Sequence, residues 1–203
     1  MPSLNELETA AADVLNILKG IPEFSNARVA VIGGLALWKY IPTGRTTEDV
    51  DFIINMDSAP HGIKQKLLTL PNSPFVQLAQ VFFYKIPGGP NVQLDITPEW
   101  QSPYMPAAAV KLKDIAANAI PYISPTDLII FKINSCGLRS QGVKKRTDAV
   151  DAETLLARET LHSPLTLTST QQAIVAPCIV DVVTHGRQSE QWWRQRLGLP
   201  TSN

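Results

Sequence analysis

Asp49 and Asp51 stand two residues apart at the head of DVDFIIN, a run whose β-branched and aromatic residues predict a strand over Asp49 to Asn55. Side chains alternate faces along a strand, so both carboxylates point the same way. Two like charges on one face repel, and a divalent cation, a basic side chain or bulk water has to answer them. Hard oxygen ligands of this kind suit Mg²⁺ or Mn²⁺, ions that bridge protein carboxylates and substrate phosphates. Asp95 is a third acidic strand residue, in VQLDIT, where Val92, Leu94 and Ile96 share one face and Gln93, Asp95 and Thr97 the other. If that strand lies beside the Asp49 strand, three carboxylates converge. Three carboxylates holding two metals can activate an attacking hydroxyl and stabilise a leaving pyrophosphate. Asp95 is then the ligand nearest the attacking hydroxyl and a candidate for its general base.

The elements around these residues supply the other half of such a site. RVAVI, Arg28 to Ile32, reads as a buried strand, Gly33-Gly34 ends it, and LALWKYI follows as a helix of about two turns. A glycine turn between strand and helix lets backbone N–H groups approach a phosphate at the positive end of the helix dipole. A polar loop, PTGRTTE, leads from that helix into the two aspartates and carries Arg45 and Thr47, which join the glycines as nucleotide-binding candidates. A plainer reading stands beside each: aspartates capping backbone amides, an acid tolerated on the exposed face of a hairpin, a glycine pair that is only a tight turn, an arginine in a solvated loop.

Ser3 with Glu6 three residues on is a capping-box pattern, and Leu4, Leu7, Ala11, Val14, Leu15 and Leu18 recur at helical spacing to about Lys19. His61 to Leu70 predicts a helix, and Val76 to Ile86 and Val92 to Thr97 two strands joined by PGGPN into an antiparallel hairpin. Four prolines break residues 98 to 123, where VKLKDIA fits either a strand or a helical turn. Ser124 as N-cap, Pro125 at the first helical position and Gly137 at the end define a helix, followed by a basic loop from Arg139 to Arg146. Thr147 to Glu159, Ser169 to Val183 with a kink at Pro177, and Gln188 to Leu197 predict three more helices. The order is a mixed α/β half followed by a helical half.

The 203 residues carry 18 basic and 18 acidic side chains, so the balance of charge predicts neither a nucleic-acid coat nor an acidic tail. Cys136 and Cys178 sit in apolar stretches without metal-ligand spacing and read as buried thiols rather than a zinc site or a disulfide. No apolar run reaches the roughly 18 residues of a membrane span, and MPSLNELETAAADVL is acidic where a secretion signal is basic. A cytoplasmic protein with no membrane partner is the expectation. Asp148 and Asp151, three apart on one helix, are expected to pair with the neighbouring Lys144-Lys145-Arg146 run. Trp192 and Trp193 either pack the last helix on the body or mark a surface for a partner protein.

The run VIGGLALWKYIPTGRTTEDVDFII resembles the signature of the polymerase-β-like nucleotidyltransferases, a glycine pair followed some fifteen residues later by D-x-D. The wording RTTEDVDF is similar to that of small stand-alone nucleotidyltransferases related to type IV abortive-infection toxins, and DLIIFKI with KKRTDAVDAETLL to their C-terminal helices. The resemblance spans residues about 28 to 156. It implies an α/β (α+β) fold with a mixed β-sheet flanked by helices, residues 1–123, and a helical C-terminal part, residues 124–203. It also implies transfer of a nucleoside monophosphate from an NTP, with ATP the expected donor, to a hydroxyl of a small molecule, a protein or RNA. Gly33 and Gly34 would hold the triphosphate, Asp49 and Asp51 the Mg²⁺ or Mn²⁺, Asp95 would complete the site, and Lys132 stands where the family can place a triphosphate-contacting lysine.

Two other functions fit parts of the sequence. One keeps the fold as a nucleotide-sensing or partner-binding module with weak or no catalysis. The other takes Asp49-x-Asp51 as the metal motif of a nucleotide-sugar glycosyltransferase, although such motifs close a strand after a long nucleotide-binding stretch and this one opens a strand.

Overall fold

A computed structural model describes residues 1–200 of the chain, which divides into two compact units, Met1–Ile123 and Ser124–Asn203. The first opens with helix α1, Leu4–Lys19, whose capping box forms as the sequence predicts: the Ser3 hydroxyl accepts from the Glu6 N–H, and the Glu6 carboxylate accepts from the Ser3 N–H at 2.7 Å. The face that recurs at helical spacing, including Leu7, Val14, Leu15 and Leu18, is buried.

That face packs on a six-stranded mixed sheet built from β1, Arg28–Ile32; β2, Asp49–Ile54; β3, Phe75–Leu78; β4, Val81–Lys85; β5, Asn91–Pro98; and β6, Val110–Lys111. The order across the sheet is β3-β4-β5-β2-β1-β6. β2 and β5 run parallel, and every other neighbouring pair runs antiparallel. Along β2 the alternation does what the sequence pattern requires: Val50, Phe52 and Ile54 enter the core while Asp49 and Asp51 face the other way. Helix α2, Gly33–Tyr40, leaves β1, and helix α3, His61–Leu68, follows β2.

Two local readings change. The stretch expected as one strand from Val76 folds back on itself, because Ala79 takes φ 52 and turns β3 into β4. The turn is worth its strain of about 1 kcal/mol because it stacks Phe75 on Phe82, ring centroids 5.5 Å apart, with Tyr84 alongside. VKLKDIA resolves into both alternatives in succession, a two-residue β6 on β1 and then a 3₁₀ turn, Leu112–Asp114.

In the second unit, helix α4, Pro125–Leu138, starts at the expected cap, with the Asp127 N–H donating to the Ser124 hydroxyl at 3.1 Å. Helix α5, Gly142–Glu159, begins earlier than expected, so Lys144, Lys145 and Arg146 lie on its first turns rather than in a loop. Pro177 divides the next helix into α6, Ser169–Val175, and α7, Ile179–His185, through a 3₁₀ turn. In α8, Glu190–Arg196, Trp193 is fully buried, while Trp192 is half-buried with Arg196 over its ring at 5.1 Å. Cys136 is buried and Cys178 half-buried. Burial first, then Asp181 and Asp148, push the Cys136 thiol up to about 11, which leaves it protonated and unreactive at neutral pH. Among the described residues no helix is long and apolar enough to cross a membrane.

The Ser124 cap carries a direct test. Ser124→Ala removes the acceptor for the Asp127 N–H, and urea unfolding is expected to show a loss of about 1 kcal/mol with an unchanged slope.

Candidate active site

The parallel pairing of β2 with β5 decides the geometry of the site. Its register sets Asp51 directly opposite Asp95 and Asp49 opposite Gln93, so all three carboxylates emerge on one face of two adjacent strands. One oxygen from each of Asp49, Asp51 and Asp95 lies within 4.8 Å of the others, and all three residues are half-buried. Among the described residues this is the only group of acidic, histidine or cysteine side chains so placed. A purely oxygen donor set at this spacing fits a hard divalent cation, which would relieve the mutual repulsion of three carboxylates.

The glycine pair positions Asp51. Helix α2 begins at Gly33 itself, so both glycines belong to its first turn, and Gly33 has φ +66, open to glycine and costly to other residues. A Cβ on Gly33 would stand 1.8 Å from Asp51 Oδ2, and one on Gly34 would stand 2.5 Å from Thr47 Oγ1. The bare Cα of Gly33 therefore lets the positive end of α2 lie directly on the Asp51 carboxylate, that of Gly34 lets it close on Thr47, and the Gly34 N–H donates to Asp51 Oδ2 at 3.3 Å. In this structure the Gly34 N–H serves a protein carboxylate, whereas the sequence suggested a phosphate.

The loop before β2 braces a second carboxylate. Thr47 is buried and its hydroxyl donates to Asp49 Oδ1, so the residue expected at the nucleotide holds a metal-ligand candidate. Arg45 lies in the exposed part of the loop, where its guanidinium donates to the Thr46 carbonyl at 3.2 Å. On β5, Gln93 Nε2 donates to Asp95 Oδ2 at 3.1 Å. Sequence reasoning passed over Gln93, although its signal was present: it shares a face with Asp95, two residues away.

Lys132, expected as a triphosphate contact, belongs to the second unit. It is buried on α4, with its ammonium 2.9 Å from both Asp148 Oδ1 and Asp151 Oδ2 on α5, and Arg139 closes on the second oxygen of Asp148. Burial pushes the Lys132 pKa down, but Asp151 and Asp148 together outweigh it and hold the ammonium above its ordinary value. Asp148 and Asp151 thus answer Lys132 and Arg139 rather than the Lys144–Arg146 run, from which Lys145 turns instead to Asp181.

No family model matches the chain, and no curated protein matches it either. Among solved structures, the fold is similar to the crystal structure of an antigenic nucleotidyltransferase-like protein from Paracoccidioides brasiliensis. That match has a TM-score of 0.54 and 20% identity, and covers 92% of this chain and 96% of that one. A CCA-adding enzyme of Thermotoga maritima complexed with tRNA aligns over 95% of this chain and 53% of its own length, at a TM-score of 0.28 and 13% identity. The first of these likenesses makes the fold nucleotidyltransferase-like.

Proposed function

We propose that the chain is a divalent-metal-dependent nucleotidyltransferase of the polymerase-β-like kind. It would move a nucleoside monophosphate from an NTP, with ATP the expected donor, to a hydroxyl of a small molecule, a protein or RNA. One observation carries this reading: three carboxylates from adjacent parallel strands bring an oxygen each within 4.8 Å, on a nucleotidyltransferase-like fold. The wording RTTEDVDF supports the narrower kinship to stand-alone enzymes related to abortive-infection toxins.

In the proposed reaction the acceptor oxygen attacks the α-phosphorus, the bond from that phosphorus to the bridging oxygen breaks, and pyrophosphate leaves. Asp49, Asp51 and Asp95 would hold Mg²⁺ or Mn²⁺, which when bound supplies charge neutralisation at the phosphates and eases ionisation of the attacking hydroxyl. Asp95, at the end of the trio braced from β5, is the candidate to receive the hydroxyl's proton. Gly33 and Gly34 seat the start of α2 directly on Asp51 and Thr47, and its N-terminal end would offer backbone N–H groups to a donor phosphate brought in by the metal. Arg45 is exposed in the loop entering β2, within the same stretch, and is suited to meet an anionic donor.

Thermal unfolding tests the reading. Wild type and Asp51→Asn are compared with each of the four NTPs, with and without Mg²⁺. A ligand at a hundred times its dissociation constant adds about 2.7 kcal/mol, which moves the midpoint by a few degrees. A Mg²⁺-dependent rise in the wild type, absent from Asp51→Asn, is the expected result. No rise with any NTP would overturn the proposal and favour the binding-module reading.

A further inference from the structure

We infer that Gln93 is a positioning residue for the metal centre: it fixes the Asp95 carboxylate without competing for the ion. The inference rests on the metal-site reading of the three carboxylates and goes beyond it, because nothing in the D-x-D pattern or in the third acidic position calls for this side chain.

The argument starts from the sheet. Residues two apart on a strand point to the same face, so Gln93 and Asp95 share one, and the parallel register puts Gln93 across from Asp49. Gln93 is therefore flanked on its face by two of the three carboxylates, and its Nε2 reaches along its own strand to Asp95 Oδ2 at 3.1 Å. The terminal torsion of an aspartate is broad and roughly two-fold, so an unheld carboxylate spreads its ligating oxygen over many orientations. One N–H on Oδ2 removes most of that freedom.

The residue type matters as much as the contact. A lysine or arginine at 93 would neutralise the cluster by itself and displace the cation it is built for. Another carboxylate would add to the repulsion. A neutral amide donates one hydrogen bond, keeps the full negative charge available to the ion, and is long enough to span the two-residue step. The same logic is repeated by neutral donors on the other two ligands, the Thr47 hydroxyl on Asp49 and the Gly34 N–H on Asp51. An uncharged donor thus reaches each carboxylate of the trio, and Gln93 is the one contributed by β5 itself. Partners of this sort set metal affinity by roughly 10–100-fold in metalloproteins.

The test is Mn²⁺ titration of the full chain without nucleotide, followed by the electron paramagnetic resonance of free Mn²⁺. Gln93→Met keeps the length of the side chain and removes its donor, and is expected to bind Mn²⁺ about tenfold more weakly than wild type. Gln93→Thr, a replacement suited to a strand but too short to reach Asp95, is expected to show the same loss. In an Asp95→Asn background Gln93→Met should weaken binding no further, since its effect runs through Asp95. Wild-type affinity in both Gln93 variants, or an equal loss with and without the Asp95 carboxylate, would overturn the inference while leaving the metal site standing. A wild type that binds no more Mn²⁺ than Asp51→Asn would overturn the metal-site reading, and this inference with it.

Discussion

Gly33→Ala is expected to abolish Mn²⁺ binding and to unfold more easily than wild type. Two separate costs meet at this residue. The backbone holds φ +66, a left-handed conformation that costs an alanine roughly 1–2 kcal/mol. The new Cβ would also stand 1.8 Å from Oδ2, 2.5 Å from Cγ and 2.9 Å from Cβ of Asp51, so it meets the root of that side chain as well as its tip. Rotating the carboxylate away does not clear a contact with Cβ, so either Asp51 leaves the trio or the start of α2 lifts off β2. Both outcomes break the 3.3 Å hydrogen bond from the Gly34 N–H and scatter the oxygens now gathered within 4.8 Å. Gly88 separates the two costs: its φ is +72, and a Cβ there meets nothing within 4 Å. Gly88→Ala should lose about 1–2 kcal/mol in urea unfolding and keep wild-type Mn²⁺ affinity. A Gly33→Ala protein that bound Mn²⁺ as wild type does would show that the close seating of α2 on Asp51 is not needed for the site.

The same residues show which parts of the molecule a reader of the sequence can reach. β1, the glycine pair, α2 and the D-x-D strand were legible because each follows from a local rule, and the alternation on β2 alone separates Val50, Phe52 and Ile54 from Asp49 and Asp51. The convergence of Asp95 on them is a matter of pairing, which the alternation allows but does not dictate, and only the parallel register of β2 with β5 settles it. The turn at Ala79 was hidden because neither Ala79 nor Gln80 is a turn-forming residue type. Aromatic packing of Phe75 on Phe82 imposes it from outside the local sequence. Gln93 was placed on the Asp95 face but given no role, for a different reason: an amide has no fixed chemistry until its neighbour is known. The basic run on α5 misled in the opposite direction, since three adjacent charges drew attention from Lys132, a residue with a stronger claim on the same aspartates.

Lys132→Met is accordingly expected to destabilise the protein by about 3–5 kcal/mol, the usual consequence of removing one partner from a buried ion pair. Asp148 and Asp151 are 2% and 4% exposed, and the Lys132 ammonium stands 2.9 Å from both, so its removal takes a cation from two buried carboxylates at once. Restoring the balance should restore stability, so Lys132→Met combined with Asp151→Asn is expected to recover part of the loss. The pH dependence follows from the direction of the lysine's shift. Its folded-state pKa is held above the ordinary value, so its contribution is complete below the ordinary lysine pKa and is lost as pH rises through the folded one. The gap in urea stability between wild type and Lys132→Met should therefore be constant from neutral pH to about pH 9 and close only in strong alkali. Thermal unfolding with NTP and Mg²⁺ distinguishes this role from contact with a triphosphate. A lysine that holds α4 to α5 leaves the nucleotide-dependent rise unchanged at a temperature where the variant is folded. A phosphate-contacting lysine would show the reverse, with stability near wild type and the rise gone, and that result would release Lys132 from the ion pair and return it to the donor site.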